Sequence, residues 1–173
     1  MAAEQPEQPV GFWKTAQAKP DQLAVVDPDR NEISAGELLA ECNRLVHGLR
    51  ALGLKEGDGV ACVMPNNIPM MALYFAAMQA GWYLTPINHH LVGPEIAYIA
   101  NDCEASVFIG HERMADACEA AAKEIELPAD RLFAIGDVNG FRSYDEIVQG
   151  QPDTLPEDRT AGAAMHYTSG TTG

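Results

Sequence analysis

The last nine residues, 165–173, read MHYTSGTTG and carry the side chains with the most evident chemistry in this sequence. Loops that bind phosphate combine glycine turns, which expose backbone N–H groups, with hydroxyl groups that add further hydrogen-bond donors. The segment differs from the Walker pattern, which has a fixed glycine spacing and a lysine. A low-complexity tail rich in Ser, Thr and Gly would have the same composition. The segment is therefore either a phosphate-binding loop or a tail.

The composition is that of a globular protein and argues against two classes of partner. Of the 173 residues, 47% are hydrophobic and 21% are charged, which is enough for one domain with its own core. Acidic residues outnumber basic residues by 25 to 11, and the formal net charge is -14 at pH 7. Because the basic residues form no run, nucleic acid is not an expected partner, and the negative charge opposes binding to anionic lipid.

The cysteines and the N-terminus indicate a cytoplasmic protein. Cys42, Cys62, Cys103 and Cys118 have no C-x-x-C spacing, so we expect reduced core residues rather than a disulfide framework or a metal site. The polar, acidic start of the chain does not resemble a secretory signal. Residues 59–94 contain no Asp, Glu, Lys or Arg, but prolines and asparagines interrupt them. They predict buried core elements and no transmembrane segment.

Helices and strands are predicted to alternate along the sequence. Residues 34–53 predict the clearest helix, in which Ser34 and Glu37 have the spacing of a capping box and Gly53 suits a left-handed end. Continuous apolar runs predict strands that are buried on both faces, as in parallel sheets. These strands begin near Ala24, Val60, Tyr83, Ser106 and Leu132. The pattern predicts an α/β fold with a mostly parallel sheet and helices on both faces.

Further helices are predicted between these strands. Asn67 is expected to cap a helix that ends at Gly81, and Pro94 is expected to open a short helix. Residues 112–127 predict another helix, and residues 143–150 a short one.

A break in the alternation of predicted strands and helices suggests how the chain is divided. Residues 151–162 contain two prolines and four charges without periodicity, and they predict a surface linker. We therefore expect an N-terminal arm with a short helix at 1–18 and an α/β subdomain at 19–150. The linker at 151–162 then leads to a strand and the start of a phosphate-binding loop at 163–173.

Five segments of the sequence are similar to the AMP-forming acyl-CoA synthetases, members of a superfamily of adenylate-forming enzymes. HYTSGTTG at residues 166–173 resembles the opening of the loop that binds the ATP phosphates in that family. Four upstream segments resemble the family in the same order: KPDQLAVVD, ISAGELLAECNRLVHGLRALGLKEGDGVACVMPN, ALYFAAMQAGWYLTPIN and EIAYIANDCEASVFI. The resemblance covers residues 20–173, and its specificity comes from the order of the segments.

The resemblance implies an acid–CoA ligase. Such an enzyme uses ATP and Mg²⁺ to convert a carboxylic acid, here expected to be a fatty acid, to an acyl-adenylate, and then transfers the acyl group to coenzyme A. Matched residue by residue, it implies contacts to the ATP phosphates from Thr168, Ser169, Gly170, Thr171, Thr172 and Gly173. Tyr167 is expected to hold the preceding strand, and His166 to be structural.

The resemblance implies no catalytic or metal-binding residue within this chain. In the family, the adenine pocket, the Mg²⁺-binding Glu, the acyl tunnel and the catalytic Lys all come later in the chain. We therefore expect the sequence to be the front of a longer protein and to be inactive alone.

Two departures from the family pattern and several alternatives stay open. Many relatives have an Arg where this chain has His89 and His90, for which we expect a surface or packing role. Trp82 is bulkier than the usual residue, and we expect it to pack in the core or at a subdomain interface. An adenylation domain that loads a carrier protein, a ligase for an aromatic acid, and a homodimer are left open. A different class is a non-enzymatic, flavodoxin-like binding module that ends in a tail, although no Gly-rich turn follows its first strand.

Overall fold

The computed structural model describes residues 11–168. Within this range the chain forms six α-helices and eight strands, which alternate over most of its length. The elements are α1 Phe12–Ala18, β1 Leu23–Val26, β2 Glu32–Ser34, α2 Ala35–Ala51, β3 Gly59–Cys62, α3 Ile68–Ala80, β4 Tyr83–Pro86, α4 Gly93–Asp102, β5 Ala105–His111, α5 Ala115–Ala121, β6 Leu132–Ile135, β7 Arg142–Ser143, α6 Asp145–Val148 and β8 Ala163–Ala164.

Six strands of the described range form one sheet in the order β7-β6-β5-β3-β4-β8. Every strand pair in this sheet is parallel. The predicted strands VACVM, WYLTPI and SVFIG contribute β3, β4 and β5, which lie side by side at its centre. The predicted α/β fold with a mostly parallel sheet is therefore confirmed.

Helices cover both faces of the sheet, as predicted. Val60 and Cys62 of β3 belong to the core that includes α2 and α3, whereas Ala61 belongs to the core that includes α4 and α5. This alternation follows from the two-residue period of side chains along a strand. Trp82 is fully buried in the first core, which agrees with its expected packing role.

The predicted ends of two helices are confirmed. Ser34 Oγ accepts a hydrogen bond from the Glu37 backbone N–H at 3.3 Å, and the Glu37 carboxylate accepts one from the Ser34 N–H at 3.0 Å. Gly53 follows α2 with a φ of 98°. Asn67 Oδ1 caps α3, and Gly81 ends α3 in the left-handed conformation. Each feature satisfies backbone groups that a helix end leaves without partners.

The strand predicted near Ala24 does not join the parallel sheet. It forms β1, which pairs with β2 in an antiparallel hairpin outside that sheet. The turn between them is closed by Asp27, whose carboxylate accepts hydrogen bonds from the Asn31 backbone and side chain, both at 2.9 Å. Asp and Asn side chains often organise such turns. The apolar run alone did not reveal this pairing.

The helix predicted over residues 112–127 is shorter in the structure. A 3₁₀ turn at Glu112–Met114 precedes α5, which ends at Ala121. The next residues are fixed by Asn101 of α4, whose side chain donates to the Glu124 carbonyl at 2.9 Å and accepts from the Glu126 N–H at 2.8 Å. The apolar periodicity continues to residue 127, but the contact with Asn101 holds the chain in a non-helical path after Ala121.

We expect Gly48→Ala to destabilise the protein, because α2 and α6 approach closely at Gly48. A Cβ added there would lie 1.8 Å from the carbonyl oxygen of Ile147. Replacing glycine by alanine in a helix ordinarily stabilises it by about 1 kcal/mol. Here α6 must move, and overpacking typically costs roughly 1–3 kcal/mol, so the free energy of unfolding should fall. Denaturation in urea measures the change.

A second variant of α2 calibrates this experiment. Ala40→Gly changes a half-buried residue of the same helix and should lower the free energy of unfolding by about 1 kcal/mol through helix propensity. A Gly48→Ala protein that is more stable than its parent would show that propensity outweighs the close contact, and would contradict the prediction.

Candidate functional site

The parallel strands bring several polar side chains to one edge of the sheet. Asn67 follows β3, Asn88 and His89 follow β4, and His111 ends β5. β8 points the same way and is followed by Thr168. In open α/β sheets, ligands bind outside the carboxyl ends of the strands. This edge is therefore the candidate site.

Thr168 is the one predicted phosphate-binding residue within the described range. The other five, Ser169, Gly170, Thr171, Thr172 and Gly173, lie outside it. The structure places Thr168 as an exposed residue four residues after Ala164, the end of β8.

Backbone hydrogen bonds to β4 set the position of this last strand. The Ala163 N–H donates to the Trp82 carbonyl at 3.0 Å, and the Met165 N–H donates to the Leu84 carbonyl at 2.7 Å. The ladder between β8 and β4 is short, because only Ala163 and Ala164 pair with residues of β4. The segment that leads to Thr168 is therefore an edge strand with few ladder bonds.

An open groove lies between this segment and α4. Its volume is about 630 Å³, and its lining residues are Asn88, Leu91, Pro94, Glu95, Tyr98, Ile99, Tyr167 and Thr168. Apolar and aromatic side chains form most of the walls. Asn88, which follows β4, adds an amide, and Thr168, which follows β8, adds a hydroxyl. Glu95 is already used to cap α4, since its carboxylate accepts from the Val92 N–H at 3.1 Å.

Tyr167 lines this groove and binds α4. Its hydroxyl donates to the Asp102 carboxylate at 2.5 Å. This hydrogen bond is the main reason why the pKa of Tyr167 lies well above the ordinary value for tyrosine. The contact agrees with the expectation that Tyr167 holds the strand in place, and it anchors the backbone one residue before Thr168.

The three histidines nearest to this site in the sequence lie on the surface. His89 and His90 are exposed in the turn after β4, with their ring centroids 4.2 Å apart. The His90 N–H donates to Asn88 Oδ1 at 3.0 Å, so the turn is organised by its asparagine. His166 is also exposed.

His111 is a buried histidine that the sequence did not single out. It ends β5 at the carboxyl edge, and its Nδ1 accepts the Arg113 backbone N–H at 3.1 Å. Burial is the main cause that lowers its pKa below the ordinary value for histidine, so the neutral ring is favoured at pH 7. The available sequence signal was a polar residue placed directly after a buried strand.

Other reactive groups of the described residues are buried or dispersed. All four cysteines are free and buried, and burial raises the pKa of the Cys62 thiol to about 12, which keeps it protonated. Residues 11–168 contain no group of three or more His, Cys, Asp or Glu side chains that could hold a metal ion. Over the same residues, no helix has both the length and the apolar character needed to cross a membrane.

Comparisons with known proteins find relatives over nearly the whole chain. The family model described as AMP-binding enzyme matches residues 12–173. Feruloyl-CoA synthase from Amycolatopsis sp is 32% identical over 169 residues, which are 96% of this chain and 32% of that protein. Long-chain-fatty-acid–CoA ligase FadD13 from Mycobacterium tuberculosis (strain ATCC 25618 / H37Rv) is 31% identical over 162 residues, which are 91% of this chain and 31% of that protein.

Solved structures show the same fold. A Mycobacterium tuberculosis fatty acyl CoA synthetase is 27% identical with a TM-score of 0.76, over 91% of this chain and 32% of that one. The anthranilate CoA ligase AuaEII, in complex with anthranoyl-AMP, has a TM-score of 0.82 at 24% identity, over 94% of this chain and 32% of that one. The second likeness concerns the fold alone. The chain spans about a third of the length of the curated relatives it matches.

The contact between Tyr167 and Asp102 predicts a shifted titration. We expect the phenol of Tyr167 to ionise well above pH 10, because the neighbouring carboxylate stabilises its protonated form. Asp102→Asn should lower the pKa of Tyr167 towards the ordinary value for tyrosine, as followed by ultraviolet absorbance, with Tyr167→Phe identifying the signal.

The sign of the effect on stability follows from the raised pKa. The contribution of the bond should be complete below pH of about 10 and should be lost as pH rises through the pKa of the folded state. Ionisation of Tyr167 near pH 10 in the parent protein would contradict the contact.

Proposed function

The chain belongs to the AMP-binding enzyme family, and from this premise we propose that it is the first part of an acid–CoA ligase. The longer protein activates a carboxylic acid with ATP to an acyl-adenylate and pyrophosphate. The thiol of coenzyme A then displaces AMP and yields the acyl-CoA thioester. The names of the relatives reported above, which are CoA synthases and ligases, support this reaction class.

The position of β8 is the observation that carries the proposal. β8 brings the chain to the carboxyl ends of the parallel strands, where polar residues also follow β3, β4 and β5, and Thr168, the first residue of TSGTTG, comes four residues after β8. A tail would need no such strand, whereas a phosphate-binding loop needs a rigid element before it. Residues 168–173 are therefore our proposed contacts to the ATP phosphates.

Formation of the acyl-adenylate must overcome the repulsion between two negatively charged reactants. A carboxylate oxygen must form a bond to the α-phosphorus while the bond from that phosphorus to the pyrophosphate oxygen breaks. Both reactants are anions, so donors must neutralise and orient the triphosphate before they can meet. We assign this role to the hydroxyls of Thr168, Ser169, Thr171 and Thr172, and to the backbone N–H groups at Gly170 and Gly173. No catalytic residue is assigned within the chain.

Mg²⁺, when bound, supplies further neutralisation of the triphosphate. The described residues contain no cluster of metal-binding side chains. The family resemblance implies that the Mg²⁺-binding Glu comes later in the chain, and we assign no metal ligand among residues 1–173.

The acid is the least constrained part of the proposal. We propose a fatty acid, supported by the name of the long-chain-fatty-acid–CoA ligase relative. Aromatic acids are the alternative, since relatives include feruloyl-CoA synthase and 3-hydroxybenzoate–CoA ligase. Acyl-AMP formation with a panel of both classes decides between them. Transfer of the acyl group to a carrier protein, but not to coenzyme A, would identify an adenylation domain instead.

We also propose the division of the chain and its location. The arm and helix at 1–18, the subdomain at 19–150, the linker at 151–162 and the strand with the loop at 163–173 form our working division. A cytoplasmic location is supported by the four free cysteines, which suit a reducing compartment.

Thr171→Val in the longer protein should slow adenylation. Valine keeps the size of threonine but removes the hydroxyl, and a lost charge-assisted hydrogen bond costs roughly 1.5–3 kcal/mol, or about one to two decades in rate. Gly170→Val should be as harmful, because a β-branched residue cannot adopt all the turn conformations open to glycine. ATP–pyrophosphate exchange measures both effects.

The matched control is Thr15→Val, which makes the same substitution at a half-buried position of α1, outside the loop and the segment that leads to it. It should exchange at the parental rate, and thermal stability should barely change in any of the three variants. Parental rates in both loop variants would show that the segment is a tail.

The purified 173-residue chain should show no ATP–pyrophosphate exchange with any acid. It contains only the opening of the proposed phosphate loop, and the adenine pocket expected from the family lies later in the protein. Exchange by this chain, in a preparation free of the longer protein, would overturn the assignment.

A further inference from the structure

Residues 151–162, which we call the strap, run along α2 between α6 and β8. The strap forms no helix or strand, yet its backbone is bound by side chains of α2. Asn43 Nδ2 donates to the Asp153 carbonyl at 2.8 Å, and His47 Nε2 lies 2.9 Å from the Thr154 carbonyl. Because a carbonyl oxygen accepts, His47 donates through its Nε2–H.

Arg50 continues this line of contacts. Its guanidinium donates to the Glu157 carbonyl at 2.9 Å and to the Asp158 carbonyl at 3.2 Å. Asn43, His47 and Arg50 are spaced by four and three residues, so they form one polar stripe along the helix. One face of α2 thus builds the core, and another holds the strap.

The end of the strap is fastened to α3. The Thr160 N–H donates to the Gln79 carbonyl at 3.2 Å, and the Gly162 N–H donates to the Met78 carbonyl at 3.1 Å. A Cβ on Gly162 would lie 2.2 Å from the Ala77 carbonyl oxygen, so the strap passes directly against the backbone of α3. Its last residues are therefore held in a fixed register where β8 begins.

The two anchor points are joined to each other inside the protein. Gln79 Nε2 donates to Asn43 Oδ1 at 3.1 Å, and each of these two side-chain amides belongs to a residue only 2% exposed. Asn43 in turn binds the strap, so one buried network links α2, α3 and the strap. A buried hydrogen bond between two amides favours the relative placement of α2 and α3 in which that bond can form.

We propose that the strap positions the phosphate loop, and that Asn43 and Arg50 are positioning residues for the ATP triphosphate. This inference rests on the proposed function. β8 is an edge strand of two residues, so its own ladder fixes it weakly, and Thr168 follows four residues after Ala164. A displacement of the strap is passed through Gly162 to β8 and then to the loop. Misplacing a group by about 1 Å can reduce a rate about 100-fold.

Hydrogen exchange tests the mechanical part of this inference without any activity. In the longer protein, Arg50→Ala removes both carbonyl contacts, while alanine keeps the helix intact. The amides of Gly162, Ala163 and Met165 should then exchange about tenfold faster than in the parent. Arg50→Lys, which can keep one contact, should give an intermediate rate. Unchanged exchange at these three amides in Arg50→Ala would overturn the inference, whatever the activity.

Arg142→Ala is the matched control, because it changes the outer strand of the sheet that lies farthest from β8. Arg142 is a residue of β7, the outer strand opposite β8, and it binds the Glu146 carboxylate at 2.8 Å and the Asp130 carbonyl at 3.1 Å. The Arg142→Ala substitution removes the same charge as Arg50→Ala and a similar number of contacts, so we expect a similar loss of stability. It should leave the exchange of the β8 amides at the parental rate, and equal acceleration in both variants would show a general loosening and overturn the inference.

ATP kinetics test the functional part. Arg50→Ala should lower kcat/KM for ATP by about tenfold and leave the KM for the acid unchanged, whereas Arg142→Ala should change neither. Equal values of kcat/KM for ATP in both variants would overturn the positioning role. If the parent protein forms no acyl-adenylate with any acid, the proposed function fails, and the exchange rates still decide whether the strap holds β8.

Discussion

The burial of β3 on both faces is the constraint on which the rest of the structure depends. Every residue of this strand is buried, with β4 and β5 on its two edges and helices above and below it. A strand in this position can carry no charge, which explains why the uncharged stretch 59–94 begins there. Parallel neighbours must be reached by crossover connections, and these are α3 and α4.

The parallel arrangement also decides where chemistry can occur. Each crossover returns the chain to the same side, so the residues after β3, β4, β5 and β8 collect at one edge. The interior behind them is mostly apolar, and its few buried polar residues include Asn43 and Gln79, whose amides are hydrogen-bonded to each other. Since an unpaired buried amide is costly, this pair permits one relative placement of α2 and α3. The residues that follow these strands are therefore attached to a core in which α2 and α3 have little freedom to shift.

Sequence reasoning succeeded where the cause of a feature lies within a few residues. The capping box of Ser34 and Glu37 and the left-handed glycines at 53 and 81 are local, and the structure contains them. The β1–β2 hairpin and the end of α5 depend on the Asp27 turn and on a contact from α4, which no apolar pattern encodes. The buried state of His111 likewise depends on packing from distant elements. The phosphate-binding role of residues 168–173 stays a prediction from their composition, and the structure adds the position of Thr168 after β8.

The loop chemistry explains why placement matters so much in this protein. The chain carries a net charge of -14, and residues 160–173 contain no Lys or Arg. The proposed loop therefore meets a polyanion with neutral donors, namely backbone N–H groups and hydroxyls. Such donors act through hydrogen bonds that weaken steeply with distance and angle, whereas a cation attracts over a longer range.

A site built from neutral donors must consequently be fixed by its surroundings. Residues distant in the sequence provide these surroundings. The carbonyls of the strap are held by α2 side chains that lie 107 to 110 residues earlier. Contacts of such long range form only when the whole sheet and both helical layers are assembled. In our proposal, the position at which the phosphate loop begins therefore depends on α2, whose side chains hold the strap from 107 to 110 residues earlier in the sequence.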